Sequence, residues 1–206
     1  MTNTELLHSG LVAGSDNRLR PPWATTSDLL RDYYDYEWGR PVTTESEMFE
    51  RIALEGFQAG LSWETVLRKR EAFREAFCLF DVDRVAAFSH EDVETLLDNP
   101  DIIRNRNKIL AAINNAQCIQ EMRADVEIIT FLQRFIPPTW ERPKTLKDVA
   151  TTSPESEAMA TALRQRGFKF VGPTTCFALM EATGMINNRI VGAAELLPLP
   201  AEMELG

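Results

Sequence analysis

Leu163-Arg164-Gln165-Arg166-Gly167-Phe168-Lys169-Phe170-Val171-Gly172 is the stretch that decides how this 206-residue chain is read. A helical segment precedes it, and Pro173, suited to a first helical turn, follows it. Two helices joined by such a glycine-bounded turn form a hairpin. The glycines allow a tight turn and a close approach by a partner, because no side chain stands in the way. The helix that follows presents unpaired N–H groups, a natural seat for a phosphate oxygen. Arg164, Arg166 and Lys169 add positive charge, and no Asp or Glu lies between Glu157 and Glu181. A plain corner with surface cations that binds nothing has the same pattern, so the residues alone leave both readings open.

Working outward, helical signals dominate and no stretch alternates convincingly at period two. Ser27 starts a short segment through Leu29, Leu30, Tyr33 and Tyr34. Thr44-Glu45-Ser46-Glu47 is a capping box, opening a helix whose inner face is Met48, Phe49, Ile52 and Ala53. Gly56 and Gly60 flank an expected break, and Ser62 caps an expected helix from Trp63 to about Ala76. Asp83 starts a turn or two, and Ser89-His90-Glu91-Asp92 caps a helix that Asn99-Pro100 stops. Long amphipathic helices are expected over 105–122 and 126–135, then a proline-rich loop, then a helix from Ser153-Pro154 to Arg166. The last helix runs from Pro173 to near Gly184. The fold class is all-α. Residues 1–20 read as a flexible leader, 21–195 as the folded domain and 196–206 as a tail.

The net charge of −9 argues against a protein that coats nucleic acid non-specifically, although local basic patches remain compatible with it. No apolar run approaches the ~20 residues needed to span a bilayer. The first twenty residues lack the basic start and apolar centre of a secretory signal, so a cytoplasmic protein is expected. Cys78, Cys118 and Cys176 are far apart, and the histidines are His8 and His90. No local cluster supplies the about four ligands of a zinc site. The cysteines read as free thiols in helices.

Residues 23 to 63 hold three of the four tryptophans and all three tyrosines. Within them lie Tyr33-Tyr34-Asp35-Tyr36-Glu37-Trp38-Gly39 and Leu54-Glu55-Gly56-Phe57-Gln58-Ala59-Gly60-Leu61-Ser62-Trp63. An extruded base needs aromatic walls and a polar group to read its edge. A carboxylate beside aromatic faces also favours a cationic base. Core filler and a solvated cap would give the same composition. Arg104-Asn105-Arg106-Asn107-Lys108 is a second basic stretch, at a helix start.

These blocks, with Ile102–Ile109 and Arg166–Gly172, resemble in order the signatures of the 3-methyladenine-DNA glycosylase I family, over roughly Arg20 to Ala194. The resemblance implies a helix-hairpin-helix glycosylase fold, two helical lobes with the base pocket between them. It implies a monofunctional enzyme that flips N3-methylated adenine out of double-stranded DNA, cleaves the N-glycosidic bond and releases free 3-methyladenine. By matching positions, Glu55 reads the base edge, Tyr33 and Trp63 stack on the base, and Trp23 closes the pocket. Leu61 is the wedge. Gly167, Phe168, Lys169 and Gly172 grip the DNA backbone, joined by Arg104 and Arg106. No cofactor and no membrane are implied, and a monomer is expected.

The chain departs from the family where the resemblance implies a zinc ion bound by two Cys and two His. Pro21, Tyr34, Arg189 and Ala193 stand there. Packing of Trp23, or a contact from Arg189 to a tyrosine or Asp35, is the expected substitute for that tether. Asp101 and Phe57 also depart, replacing a small and a polar residue, and are expected to weaken or redirect DNA binding. In agreement with the family, Ile186-Asn187-Asn188-Arg189 carries no acid where many relatives in the wider superfamily place an Asp, and the resemblance thereby implies selectivity for weakly held, cationic bases. A non-catalytic DNA-damage binder, or a fold-only descendant that binds a protein or another purine, are the competing expectations.

Overall fold

The computed structural model describes residues 9–200, which fall into two compact units. Among these residues the structure is helical apart from one two-stranded ribbon. None of the helices is long and apolar enough to cross a membrane.

The larger unit comprises residues 42–136 and 152–180. Its helices are α2 (Glu45–Gln58), α3 (Trp63–Arg68), α4 (Arg70–Ala76), α5 (Val82–Ala86), α6 (His90–Asp98), α7 (Arg106–Met122), α8 (Ile128–Gln133), α9 (Pro154–Gln165) and most of α10 (Pro173–Ala182). Side-chain oxygens cap most of them. Thr44 and Glu47 close a capping box on α2, Ser89 and Asp92 one on α6, and Ser153 and Ser156 one on α9. Asn105 caps α7 and Ser62 caps α3. Each cap satisfies an amide that would otherwise lack a partner.

Several boundaries differ from the sequence reading. Gly56 lies inside α2, and the 63–76 segment breaks at Lys69 into α3 and α4. Lys69 Nζ is drawn to the carbonyls of Pro100 and Asp101, both at 3.1 Å. Asp81, not Asp83, caps α5 through the Arg84 amide. The helix expected over 126–135 shrinks to α8, whose N-terminus has no side-chain cap.

The core of this unit is a phenylalanine cluster. Phe57 and Phe73 lie 4.5 Å apart, Phe77 and Phe80 stack at 5.6 Å, and Phe49 meets Phe80 edge-on at 5.7 Å. Cys78, Leu79 and Phe80 all take left-handed backbone angles, φ 54°, 57° and 54°. Such angles cost about 1–2 kcal/mol per non-glycine residue. Burial of Phe80 offsets part of that cost, and Leu79 is left in solvent. Cys78 therefore sits in a strained turn, not in the helix expected for it.

The smaller unit comprises residues 9–41, 137–151 and 181–200 of the described chain. It holds α1 (Asp28–Tyr36), capped by Ser27, and an antiparallel ribbon of β1 (Val12–Ala13) and β2 (Leu19–Arg20). The ribbon corrects the expectation of a flexible leader for residues 9–20; residues 1–8 lie outside the described part, as do 201–206 of the expected tail. Arg20 is buried and forks onto Asp35, Nε to Oδ1 at 2.9 Å and Nη2 to Oδ2 at 2.6 Å. Asp16 takes its other edge at 2.9 and 2.6 Å. Planar, bidentate pairing of this kind fixes geometry as well as charge. The C-terminal segment joins in: the Leu197 amide donates to the Asp35 carbonyl and the Ala194 amide to the Leu19 carbonyl, both at 2.7 Å.

Glu181, near the end of α10, accepts a hydrogen bond from Asn188 Nδ2 at 2.6 Å, and burial pushes its carboxyl up to about 7. A raised acid binds its proton more tightly in the folded chain, so this group's contribution to stability is lost as pH rises from about 4.5 to about 7. Glu181→Gln keeps the acceptor for Asn188 and removes the titration. Thermal unfolding should find the variant more stable than the parent by about 1–3 kcal/mol at pH 8 and nearly equal to it at pH 5. An identical difference at both pH values contradicts the assignment.

Candidate functional site

In the larger unit the candidate residues gather at the carboxyl end of α2. Met48, Phe49, Ile52, Ala53, Leu54 and Phe57 pin that helix into the core. Glu55 is carried into the same buried environment, with 6% of its surface exposed. Gly56 beside it makes room for Phe170, whose Cβ lies only 3.4 Å from where a side chain on Gly56 would begin. The helix ends at Gln58, and Gly60 turns the chain at φ +79° with no other atom within 4 Å of the position a Cβ would take. Leu61 stands 40% exposed on that turn. Ser62 then caps α3, which Trp63 opens in a half-buried position.

A residue the sequence reading used only as part of a basic run holds this turn. Lys108 is buried, and its ammonium donates to the carbonyls of Phe57 at 2.9 Å and Ala59 at 2.6 Å. Burial lowers its pKa. The signal for this role was weak: one lysine among neighbouring cations, a single residue off the exposed face. Phe57, expected to perturb DNA binding, is instead packed on Phe73 and faces the core. Asp101 remains exposed.

The hairpin joins α9 to α10. Gly167 takes φ +89°, and a Cβ there would meet Cys118 Sγ at 3.3 Å. Asn114 Nδ2 donates to the Gly167 carbonyl at 2.9 Å. Asn115 clamps Lys169 at two points, donating to its carbonyl at 3.0 Å and accepting from its amide at 2.8 Å. The Gly167 and Phe168 amides bond to the carbonyls of Arg164 and Leu163. The amides of 167–169 are thus already engaged, and the Phe168 ring, expected at the DNA backbone, is buried. Beyond the engaged amides lie Gly172 and the opening turn of α10. Gly172 has open space around its missing side chain, and Phe170 precedes it at φ +55° with 40% of its surface exposed.

The basic residues divide. Lys169 and Arg104 are exposed. Arg106 is forked onto Glu94 at 2.7 and 2.9 Å, so its expected phosphate contact must compete with an ion pair already formed. Arg166 is likewise paired with Asp125 and lies over the Phe131 ring at 5.0 Å. The acid-free stretch in sequence is therefore not acid-free in space.

In the smaller unit, α1 carries Tyr33 and Tyr34, both buried. Trp23, on a short 3-10 helix (Pro22–Thr25), meets Tyr34 and Trp38 edge-on at 5.5 and 5.8 Å and keeps 37% of its surface exposed. Arg189 is buried against the same rings. Its Nη2 donates to the carbonyls of Tyr34 at 2.6 Å and Trp38 at 2.7 Å, and its Nη1 to that of Ala194 at 2.8 Å. Its Cζ lies 4.1 Å from the Tyr34 ring centroid. The contact from Arg189 to a tyrosine, expected from the sequence, is present, and so is the packing of Trp23.

A zinc ion does not fit these residues. Pro21 and Ala193 have no donor side chain, and the guanidinium brings a fixed positive charge to Tyr34. No group of three or more His, Cys, Asp or Glu side chains among the described residues is placed to hold a metal ion.

Two helices joined by a glycine-bounded hairpin define a helix-hairpin-helix protein. Residues 23–195 match the methyladenine glycosylase family model. The chain belongs to that family. It is 44% identical over 173 residues to DNA-3-methyladenine glycosylase 1 of Escherichia coli (strain K12), covering 82% of this chain and 92% of that protein. A crystal structure of 3-methyladenine DNA glycosylase I superposes with a TM-score of 0.81 at 44% identity, covering 85% of this chain and 98% of the other. The Staphylococcus aureus 3-methyladenine DNA glycosylase I, described for its recognition of 3-methyladenine, superposes with a TM-score of 0.79 at 30% identity, over 85% and 95% of the two chains.

Replacing Lys108 tests its hold on the turn. Lys108→Met leaves two carbonyls at the end of α2 without their buried donor, at a cost of about 1–3 kcal/mol. Chemical denaturation should show that loss. An unchanged unfolding midpoint would show that the two bonds contribute nothing.

Proposed function

We infer that this protein is a monofunctional DNA glycosylase of base-excision repair, hydrolysing the N-glycosidic bond of N3-methyladenine in alkylated DNA. The observation that carries the reading is Glu55, an acid held in the interior one turn before an open glycine and an exposed leucine. An interior acid shortly before an open turn suits a flipped base, whose polar edge needs a buried partner. N3-alkylation places positive charge on the adenine, so the base departs neutral and needs little help from an acid. A carboxylate that pairs with the cation selects for such a base.

In this reading Glu55 hydrogen-bonds the base edge, Tyr33 and Trp63 offer stacking faces, and Trp23 covers the base. Leu61 fills the gap left in the duplex. Gly172 and the start of α10 receive a phosphate, with Lys169 and Arg104 adding charge, so binding weakens as salt rises. The substrate is double-stranded DNA, the product free 3-methyladenine and the working unit a monomer. The free thiols Cys78, Cys118 and Cys176 suit a reducing, cytoplasmic setting.

Incubation with methylated duplex DNA in the presence of a chelator should release free 3-methyladenine. Glu55→Gln should release it at least about 100-fold more slowly, the scale expected when a positioned charged contact to the reacting base is lost. Unimpaired release by Glu55→Gln removes Glu55 from its role. Salt-dependent binding without any release by the parent chain selects a damage-binding protein over an enzyme.

A further inference from the structure

We propose that Arg189 is a positioning residue that does the work of a metal tether, fixing the carboxyl end of α1 and with it Tyr33. The inference deepens the glycosylase reading and rests on it for the role of Tyr33. The geometry resembles a coordination site with a guanidinium at its centre. Three carbonyls from two separate segments, Tyr34 and Trp38 on one side and Ala194 on the other, converge on its N–H groups. The Cζ of the same group lies over the Tyr34 ring, and Trp38 stacks on Tyr34 with centroids 5.5 Å apart.

Arg189 is itself held from behind. Asn187 Oδ1 accepts from its amide, and Arg142 Nε donates to its carbonyl at 2.9 Å. The residue therefore links the 34–38 turn, the C-terminal segment and the 137–151 loop, all within the smaller unit.

Tyr33 is coupled to this centre through the backbone. Its carbonyl accepts from the amides of Glu37 at 3.0 Å and Trp38 at 2.8 Å. The turn that Arg189 grips is thus hydrogen-bonded to Tyr33 itself. The carbonyls at the end of α1 lack intrahelical partners and carry the negative end of the helix dipole, so a cation suits them. Arginine meets the requirement because its planar fork donates in several directions and keeps two faces free for rings. A lysine ammonium also donates in several directions but has no flat face to lay on a ring.

The test uses the full chain in four forms: parent, Arg189→Lys, Arg189→Met, and a fourfold variant combining Pro21→Cys, Tyr34→His, Arg189→His and Ala193→Cys. Free 3-methyladenine binding is read by tryptophan quenching, and undamaged duplex binding is read separately. Arg189→Met should weaken base binding about tenfold or more while duplex binding stays within about twofold, with Arg189→Lys in between. The fourfold variant with added zinc should recover base binding to within about threefold of the parent and lose it to chelator, which leaves the parent unaffected.

Base binding by Arg189→Met equal to the parent's overturns the proposal, as does equal loss of base and duplex binding. If Arg189→Met does not fold, the fourfold variant decides: zinc-dependent folding supports the tether, and failure to respond to zinc refutes it. A parent that binds no 3-methyladenine defeats the glycosylase reading instead, and the tether is then judged by the zinc dependence of the fourfold variant's melting temperature.

Discussion

A buried cation closes the carboxyl end of two helices that carry candidate base-contacting residues, α2 with Glu55 and α1 with Tyr33. Lys108 takes the carbonyls of Phe57 and Ala59 at the end of α2, and Arg189 takes those of Tyr34 and Trp38 at the end of α1. Helix ends present carbonyls that must find donors, and water is the usual source. Supplying the donor from a buried side chain fixes the turn and keeps water out of it. Glu55 and Tyr33 each lie three residues before the last residue of their helix, so each is set by the end that the cation holds.

The two ends reach this arrangement by different routes. Lys108 belongs to the same basic run that the sequence offers as a phosphate seat, and the structure draws it inward while Arg104 stays in solvent. Arg189 stands where the family resemblance implies a metal ligand. A metal and a guanidinium solve the same electrostatic problem with different partners: the metal needs imidazole or thiolate, the guanidinium needs carbonyls and rings. The replacement of all four ligand positions at once is coherent on those terms, because leaving a histidine or cysteine beside Arg189 would serve neither scheme.

Much of the fold was legible because it is local. Ser27, Thr44, Ser62, Ser89, Asn105 and Ser153 each cap a helix within three residues of where they stand, and such contacts leave their mark in the sequence. The elements that escaped depend on distant partners. The 9–20 ribbon has two-residue strands too short to show alternation, and it is held by Arg20 reaching Asp35 fifteen residues on. The break at Lys69 answers to carbonyls at 100 and 101. For the site, the acid, rings and glycines were visible as types in a pattern, whereas the engagement of the 167–169 amides by Asn115 and preceding carbonyls was not. Charge was misjudged for the same reason, since Asp125 and Glu94 reach Arg166 and Arg106 across the fold.

The chemistry that follows is one of recognition more than of acid catalysis. The stretch 186–189 supplies no carboxylate, and its polar members are spent on structure: Asn187 on the Arg189 amide, Asn188 on Glu181, Arg189 on three carbonyls. On the proposed reading, such a site relies on charge already present in the base. The direct measurement is single-turnover excision from two otherwise identical duplexes, one carrying N3-methyladenine and the other hypoxanthine, a neutral purine. The account predicts release of the methylated base alone, with hypoxanthine staying at the rate seen in buffer; comparable release of both would contradict it.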